Sequence, residues 1–425
     1  MEEMFNSCNE LTTLKFKDFD TSKVTSMSLM FAYCKALTSL DLSSFTTNLV
    51  TDMYGFFSGC NSLQHLKINN FDTSRVTVMA KMFSECSSLT SLEVSHFKTT
   101  KVNRMDSMFE KCVNIRSLDL SQWITSEVTA FNSMFSGCSS LRSLQLSNFN
   151  TEKSESFYNM FSDCKSLEKL DISNFNVNKA YSVQAMFKNC QSLTSLDLSG
   201  FYGTNINNIE EMFNGCEKLT SLNLPNFSPN PTYISNAFSN CHSLEYLRVP
   251  KLKTDNALYP RGLFENCYSL KSLDLKSFTM LESVNLDGMF KNCYALTSID
   301  LSNFDTANLI TMSSMFENCG SLTSLDLSHF ETTRVIDMSY LFKNCSSLEN
   351  IKVKFNTEKV KKMQYMFSSC ISLTSLDIRT FSTAACDDLS NIFENIESLD
   401  LYVDKQKCDK LIGILPNNIN VHDTS

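Results

Sequence analysis

The side chains capable of chemistry in this chain are carboxylates, thiols and a few imidazoles, and most of them recur at one position of a repeat. An acidic row runs Asp41, Glu93, Asp119, Asp171, Asp197, Asp274, Asp300, Asp326 and Asp377, interrupted by Lys15, Lys67, Gln145, Asn223, Arg248 and Lys352. Stacked carboxylates repel one another, so they must hydrogen-bond to the neighbouring serines or attract cations such as calcium or a basic partner. Calcium needs about six to eight converging oxygens, and no dedicated calcium loop is visible. His65, His96, His242, His329 and His422 are scattered, and no pair has metal-ligand spacing. No glycine-rich phosphate loop appears among the ten glycines. A serine triad needs a histidine between its acid and its nucleophile, and the recurring Asp-Leu-Ser offers none. The expectation is a chain that is not an enzyme and holds neither cofactor nor metal.

Cysteine keeps the count of the repeat. Fifteen of the seventeen cysteines fall in one series from Cys8 through Cys34 and Cys60 to Cys370; twelve of its spacings are 26 residues, and those ending at Cys241 and Cys370 are 25. Thiols in one such row have parallel Cα–Cβ vectors, whereas a disulfide needs converging ones, so the row reads as buried, reduced filler. Ligands 26 residues apart also lack the short Cys-x-x-Cys pairing of a structural zinc site. Cys386 and Cys408 stand outside the series and are expected to be the more reactive thiols.

The elements that position these rows follow from the apolar spacing. Leu40-Asp41-Leu42 alternates with the period of a strand buried on one face, and Leu37-x-x-Leu40-x-Leu42 is a leucine-rich-repeat core. From Val50 through Met53 and Phe56 to Phe57 and Cys60 the steps suit a short helix or 3₁₀ turn, with Thr25, Thr51, Thr77 and Thr129 placed to cap it. Phenylalanine stands three residues before each cysteine, from Phe5 to Phe393, where Ile396 replaces the thiol. That regularity predicts an inner aromatic spine accompanied by methionines such as Met30, Met186 and Met315. Trp123 occupies a phenylalanine slot. The fold class is therefore an α/β repeat, a leucine-rich-repeat solenoid of about sixteen coils of 25–26 residues, each a short parallel strand plus a short helix or 3₁₀ turn. At the strand spacing, sixteen coils reach roughly 75 Å.

Units such as Met315-Phe-Glu-Asn-Cys-Gly-Ser-Leu-Thr-Ser-Leu-Asp-Leu-Ser-His-Phe330 closely resemble the BspA-like leucine-rich repeat surface proteins, and the match covers nearly the whole chain. The resemblance implies an extracellular, non-enzymatic role in adhesion, with contacts to proteins or glycans of a matrix or host surface.

Residues 1–403 are read as the solenoid and 404–425 as a C-terminal cap, with a strand at Leu399–Val403, an amphipathic helix within 404–415 and a last strand at 419–421. The first coil carries no capping unit. Met1-Glu-Glu-Met4 does not begin a signal peptide, so any export signal lies outside this chain. Residues 225–260 hold Pro225, Pro229, Pro231, Pro250 and Pro260 of only six prolines, which reads as a variant that bends or widens the coils. Beside them Tyr246, Arg248, Lys251 and Lys253 form a candidate basic and aromatic patch. The candidate binding row is Asp41, Asp119, Asp171, Asp197, Asp274, Asp300, Asp326 and Asp377, facing out from the sheet.

A net charge of −9 argues against nucleic acid as partner, and no apolar run approaches the roughly 18 residues of a membrane span. The expected function is recognition of proteins or glycans at the cell surface or outside the cell, through the exposed sheet face. An intracellular protein-interaction adaptor is the alternative.

Overall fold

Where a coil turns one leucine inward between two polar residues, a short strand forms, most often of three residues. Ser39 and Asp41 are exposed while Leu40 is 3% exposed. The computed structural model describes residues 1–248 and 251–424. They form two units, Met1–Ile206 with Gly215–Leu219, and Asn207–Asn214 with Thr220–Ser425. In the first unit β1 (Ser39–Asp41) pairs in parallel with β2 (His65–Lys67), and β3 (Ser117–Asp119) with β4 (Ser143–Gln145). In the second, β5 (Ser221–Asn223), β6 (Tyr246–Arg248) and β7 (Ser272–Leu273) form one sheet. There β8 (Ser324–Leu327) also pairs with β9 (Asn350–Val353), and β10 (Ser375–Asp377), β11 (Leu399–Val403) and β12 (Ile419–Asp423) form a third sheet. Register joins like with like, as Leu40 with Leu66 and Leu325 with Ile351. Of the proline positions, Pro250 lies outside the described residues. Pro229 is buried and its carbonyl accepts the Lys253 amide at 3.0 Å, which keeps that coil in register.

The segment expected as a short helix is instead a run of reverse turns. The amides of Met27, Leu29, Phe31 and Tyr33 donate to carbonyls of Asp52, Tyr54, Phe56 and Ser58 in the next coil at 2.6–3.0 Å. Those of Met30, Ala32 and Cys34 turn back three residues within their own coil. An α-helix spends every interior amide on the carbonyl four residues earlier; here alternate amides leave the coil, so no helix can form. Leu286 to Cys293 repeats the arrangement in the second unit. The chain reverses through two left-handed residues, Leu29 and Tyr33 at φ 56° and 58°, or Gly288 and Asn292 at 60° and 62°. Among the described residues α-helix occurs only at α1 (Asp409–Ile412), shorter than the helix expected within 404–415. Without a helix to cap, Thr51 and Thr77 donate their hydroxyls to the carbonyls of Thr25 and Thr51 in the preceding coil at 3.2 and 3.1 Å.

The inner spine is present in both units. In the first, near-parallel rings run from Phe5 through Phe31, Phe57, Phe83, Phe109, Phe135 and Phe161 to Phe187, with centroids 5.3–6.0 Å apart. In the second they run from Phe213 through Phe238, Phe264, Phe290, Phe316, Phe342 and Phe367 to Phe393 at 5.3–5.8 Å. That is offset stacking, the favourable arrangement for aromatic faces. Trp123 is fully buried and its indole N–H donates to the Val94 carbonyl at 3.0 Å, so it is a larger core residue.

Beside the spine each ladder thiol donates to the carbonyl of a phenylalanine in the preceding coil. Eight do so in the first unit, from Cys34 to Cys216, at 3.0–3.2 Å. Six do so in the second, from Cys241 to Cys370, at 3.1–3.3 Å. The solenoid has about fourteen turns rather than the sixteen expected. Cys8 is exposed, and Ile396 has no thiol to donate. None of the seventeen cysteines is in a disulfide. Cys386 and Cys408 are buried like the ladder thiols from Cys34 to Cys370, which corrects their reading as reactive thiols. Burial pushes the Cys408 thiol up to about 11.

Two further ladders were not anticipated. Buried threonines bond to the next coil through one hydroxyl that both donates and accepts: Thr47 donates to the Asp72 carbonyl at 3.1 Å and accepts the Asp72 amide at 2.8 Å. In the second unit the side-chain amides of Asn240, Asn266, Asn292, Asn318 and Asn344 each donate to the preceding asparagine's Oδ1, beginning at Asn214, at 2.5–2.9 Å. These five donors sit at φ 57–63°, a region that asparagine enters more readily than most residues.

Replacing one mid-spine ring, Phe187→Ala, is expected to cost about 3–5 kcal/mol in denaturant unfolding, the range for a large-to-small core change. Burial, reinforced by the neighbouring thiol, raises Cys60 from 9.0 to about 12. Burial likewise brings Cys267 and Cys319 to about 12. A raised thiol pKa means the unfolded chain loses its protons first as pH rises. Stability from this row is therefore complete below pH 9.0 and falls progressively toward pH 12. Melting at stepped pH should show that alkaline decline, and Cys→Ala changes in several coils should flatten it.

Candidate functional site

The outward side chains of the strands form rows, and the candidate aspartates lie where the alternation places them. Asp41, Asp119, Asp171, Asp197, Asp274, Asp300, Asp326 and Asp377 are all exposed. In every one, Oδ1 accepts the backbone amide two residues on, at 2.9–3.1 Å. This is an Asx turn: the carboxylate satisfies the first amide left over as the strand ends. Asp171 and Asp326 also accept the hydroxyl of that serine, at 2.8 and 2.6 Å. Where a cation stands nearby it takes the other oxygen, as Lys67 does on Asp41 at 2.9 Å, Lys352 on Asp326 at 3.6 Å and Arg379 on Asp377 at 2.6 Å.

The electrostatics follow these bonds. The Ser43 hydroxyl and the Lys67 ammonium, with the Ser43 amide, hold the Asp41 carboxyl down at about 2. Asp119, Asp197, Asp300 and Asp326 are lowered by the serine that follows each. Asp377 is lowered chiefly by the Arg379 side chain. Among the described residues no group of three or more His, Cys, Asp or Glu converges as a metal site would require.

The basic and aromatic residues fall on β6 and on the stretch beyond it. Tyr246 and Arg248 flank the buried Leu247 on β6 and are exposed. Lys251 and Lys253 follow, alternating about buried Leu252, and line a shallow groove of about 520 Å³ with Ser228, Asp255, Ser277 and Thr279. Lys251 Nζ donates to Asn226 Oδ1 at 3.4 Å.

Two open grooves on the sheet were not found from the repeat pattern. One of about 550 Å³ is lined by Asp326, Ser328, Lys352, Lys354, Asp377 and Arg379, among others. Another of about 600 Å³ shares Asp326, Ser328 and Lys352 and adds Asp300, Ser324 and Asn350. The sequence signal was present: Lys354 and Arg379 stand where Ser43, Ser121, Ser302 and Ser328 stand in other coils. Two of the histidines are structural. His96 and His329 bond through Nε2 to the carbonyls of Ile68 and Leu301 at 3.2 and 3.0 Å, and a carbonyl acceptor fixes the proton on that nitrogen.

If the Asx turn is the main duty of the row, Asp326→Asn, which keeps Oδ1, should leave Tm nearly in place. Asp326→Ala should lower Tm slightly, because the Ser328 amide loses its acceptor. Millimolar calcium should change neither melting curve. Because the folded carboxyls are held down, the row's contribution is complete above the ordinary value of 3.8 and is lost as pH falls toward about 2.

A leucine-rich repeat protein from Bacteroides ovatus is similar in structure at TM-score 0.52 and 20% identity, over 89% of this chain and 87% of that one, which shows the fold. A leucine rich cell surface protein from Faecalibacterium prausnitzii aligns at TM-score 0.33 and 18% identity, over 94% of this chain and 84% of that one. A leucine-rich repeat protein from Eubacterium ventriosum aligns at 0.35 and 14% identity, over 83% of each chain. No curated protein sequence matches. The family described as "Mycoplasma protein of unknown function, DUF285" matches residues 1–118, 103–227, 232–350 and 321–413, and the chain belongs to that family.

Proposed function

We propose that this chain is a non-enzymatic recognition protein that binds proteins or glycans through the outward face of its parallel strands, at the cell surface or outside the cell. The observation that carries the reading is a division of labour within each coil. Inward leucines, phenylalanines and cysteines scarcely vary from coil to coil, whereas the outward positions change charge freely. The row holding Asp326 in β8 holds Lys352 in β9, Asn223 in β5 and Arg248 in β6. A framework whose stability is supplied from inside leaves that face free to differ, and broad faces of this kind suit protein and glycan contact. The repeat's resemblance to BspA-like surface proteins supports the surface location, with matrix or host molecules as partners.

In this reading residues 1–403 are the repeat array and 404–425 its cap, since β12 pairs along β11 from Ile419 to Asp423. Among the described residues no helix is long and apolar enough to cross a membrane. An intracellular adaptor is the second reading, favoured by seventeen cysteines of which none is in a disulfide. Their burial, however, protects most of them in an oxidising compartment as well.

Immobilised matrix proteins and glycans should capture the full chain saturably. The double change Lys352→Glu with Lys354→Glu should weaken at least one such contact about tenfold without moving Tm, because exposed charges contribute little to stability. Failure to bind any member of the panel would overturn the reading, and protease shaving of intact cells would separate the surface protein from the adaptor.

A further inference from the structure

We infer that the face of β5–β7, with Lys251 and Lys253 beyond β6, is a subsite for an acidic oligosaccharide, one whose sugars carry sulfate or carboxylate groups. This deepens the reading above and rests on it. The first observation is unspent positive charge in a chain of net −9. Among the described residues Arg248, Lys251 and Lys253 form no ion pair, whereas Lys67, Lys271 and Lys352 each face a carboxylate in the preceding coil. A cation left unpaired beside a groove attracts an anionic ligand.

The second observation is the groove at Lys251 and Lys253. Its other walls carry the hydroxyls of Ser228 and Ser277, which can bond the oxygens of sulfate, carboxylate or sugar. One carboxylate, Asp255, is present and accepts the Thr279 hydroxyl, so two ammonium groups face a single acid whose near oxygen is already engaged.

The third is Tyr246. It stands in a row otherwise rich in serine, its register partners are Ser221 and Ser272, and it is 56% exposed. Its register partners are small, and among the described residues no other ring stacks on it. In the same coils His242 and Tyr268 stack on each other at 4.5 Å, and Tyr294 leans on Tyr268 at 5.3 Å, so those rings cover one another's faces. An open aromatic face accepts the apolar face of a pyranose, while Arg248 and the lysines take its charges. Cations and an aromatic ring also suit single-stranded nucleic acid, but such proteins track the backbone along an extended basic groove, and this island occupies little more than one coil.

The test uses the full chain at fixed ionic strength, with titration of a heparin-type sulfated oligosaccharide, its desulfated form, polygalacturonate, neutral dextran and an oligo-dT polyanion. Binding of the sulfated or the uronate probe is expected, falling with salt, and the desulfated arm tells which anion is read. Lys251→Glu with Lys253→Glu should weaken it more than tenfold and Tyr246→Ala about tenfold. Lys101→Glu should leave it unchanged, and all variants should keep the parent Tm. Equal affinity for oligo-dT, or binding indifferent to the lysine and tyrosine changes, would overturn the subsite. Capture of other ligands through the Lys352 and Lys354 face, with no affinity for either acidic glycan, would sink this inference alone; no capture of any kind would remove the broader reading too.

Discussion

Every coil depends on bonds its neighbour completes. The amides of Met27, Leu29, Phe31 and Tyr33 have their acceptors in the next coil, and buried polar backbone cannot be left unpaired without a cost of about 1–3 kcal/mol per group. That requirement fixes register, and fixed register places every side chain directly above its equivalent. Phenylalanines then meet as stacked rings, and thiols meet carbonyls. Ser-Leu-Asp strands of only three residues persist because the rest of the coil is pinned at the same spacing.

The same constraint separates structural chemistry from free chemistry. Aspartates that look like a ligand stripe terminate strands, since each accepts the amide two residues on. Cysteines that look like a redox series are buried donors with their protons held on by desolvation. Only positions with no such duty remain open for recognition, and they are recognisable as departures from the repeat: Tyr246 among serines, Arg248 among acids and amides, Lys354 and Arg379 where serine is usual. Function in such a fold is written in exceptions to the period, as the period itself is occupied with holding coils together.

Much of the framework was legible because its signal repeats. Leucine spacing gave the strands, and phenylalanine three residues before cysteine gave the spine. The short helix was misread for a physical reason. Apolar steps of three and four residues mean only that one face is buried, and a stack of reverse turns buries one face at similar steps. What separates the two is where alternate amides go, and Met27 sends its amide to Asp52, twenty-five residues away, which no local spacing reports. The threonine contacts escaped for a related reason, because a hydroxyl before an expected helix suggests a cap, whereas Thr51 bonds the backbone of another coil.

From the chain alone came the period, the inward and outward assignment of each position, and the reduced state of the thiols, since these depend on residue type at a repeated place. Tertiary structure decided how the turns close, why asparagine gathers at left-handed positions, and which outward charges are already paired. Those outcomes depend on what lies one coil away at 3 Å, and a linear pattern records that a neighbour exists without recording which of its atoms is met.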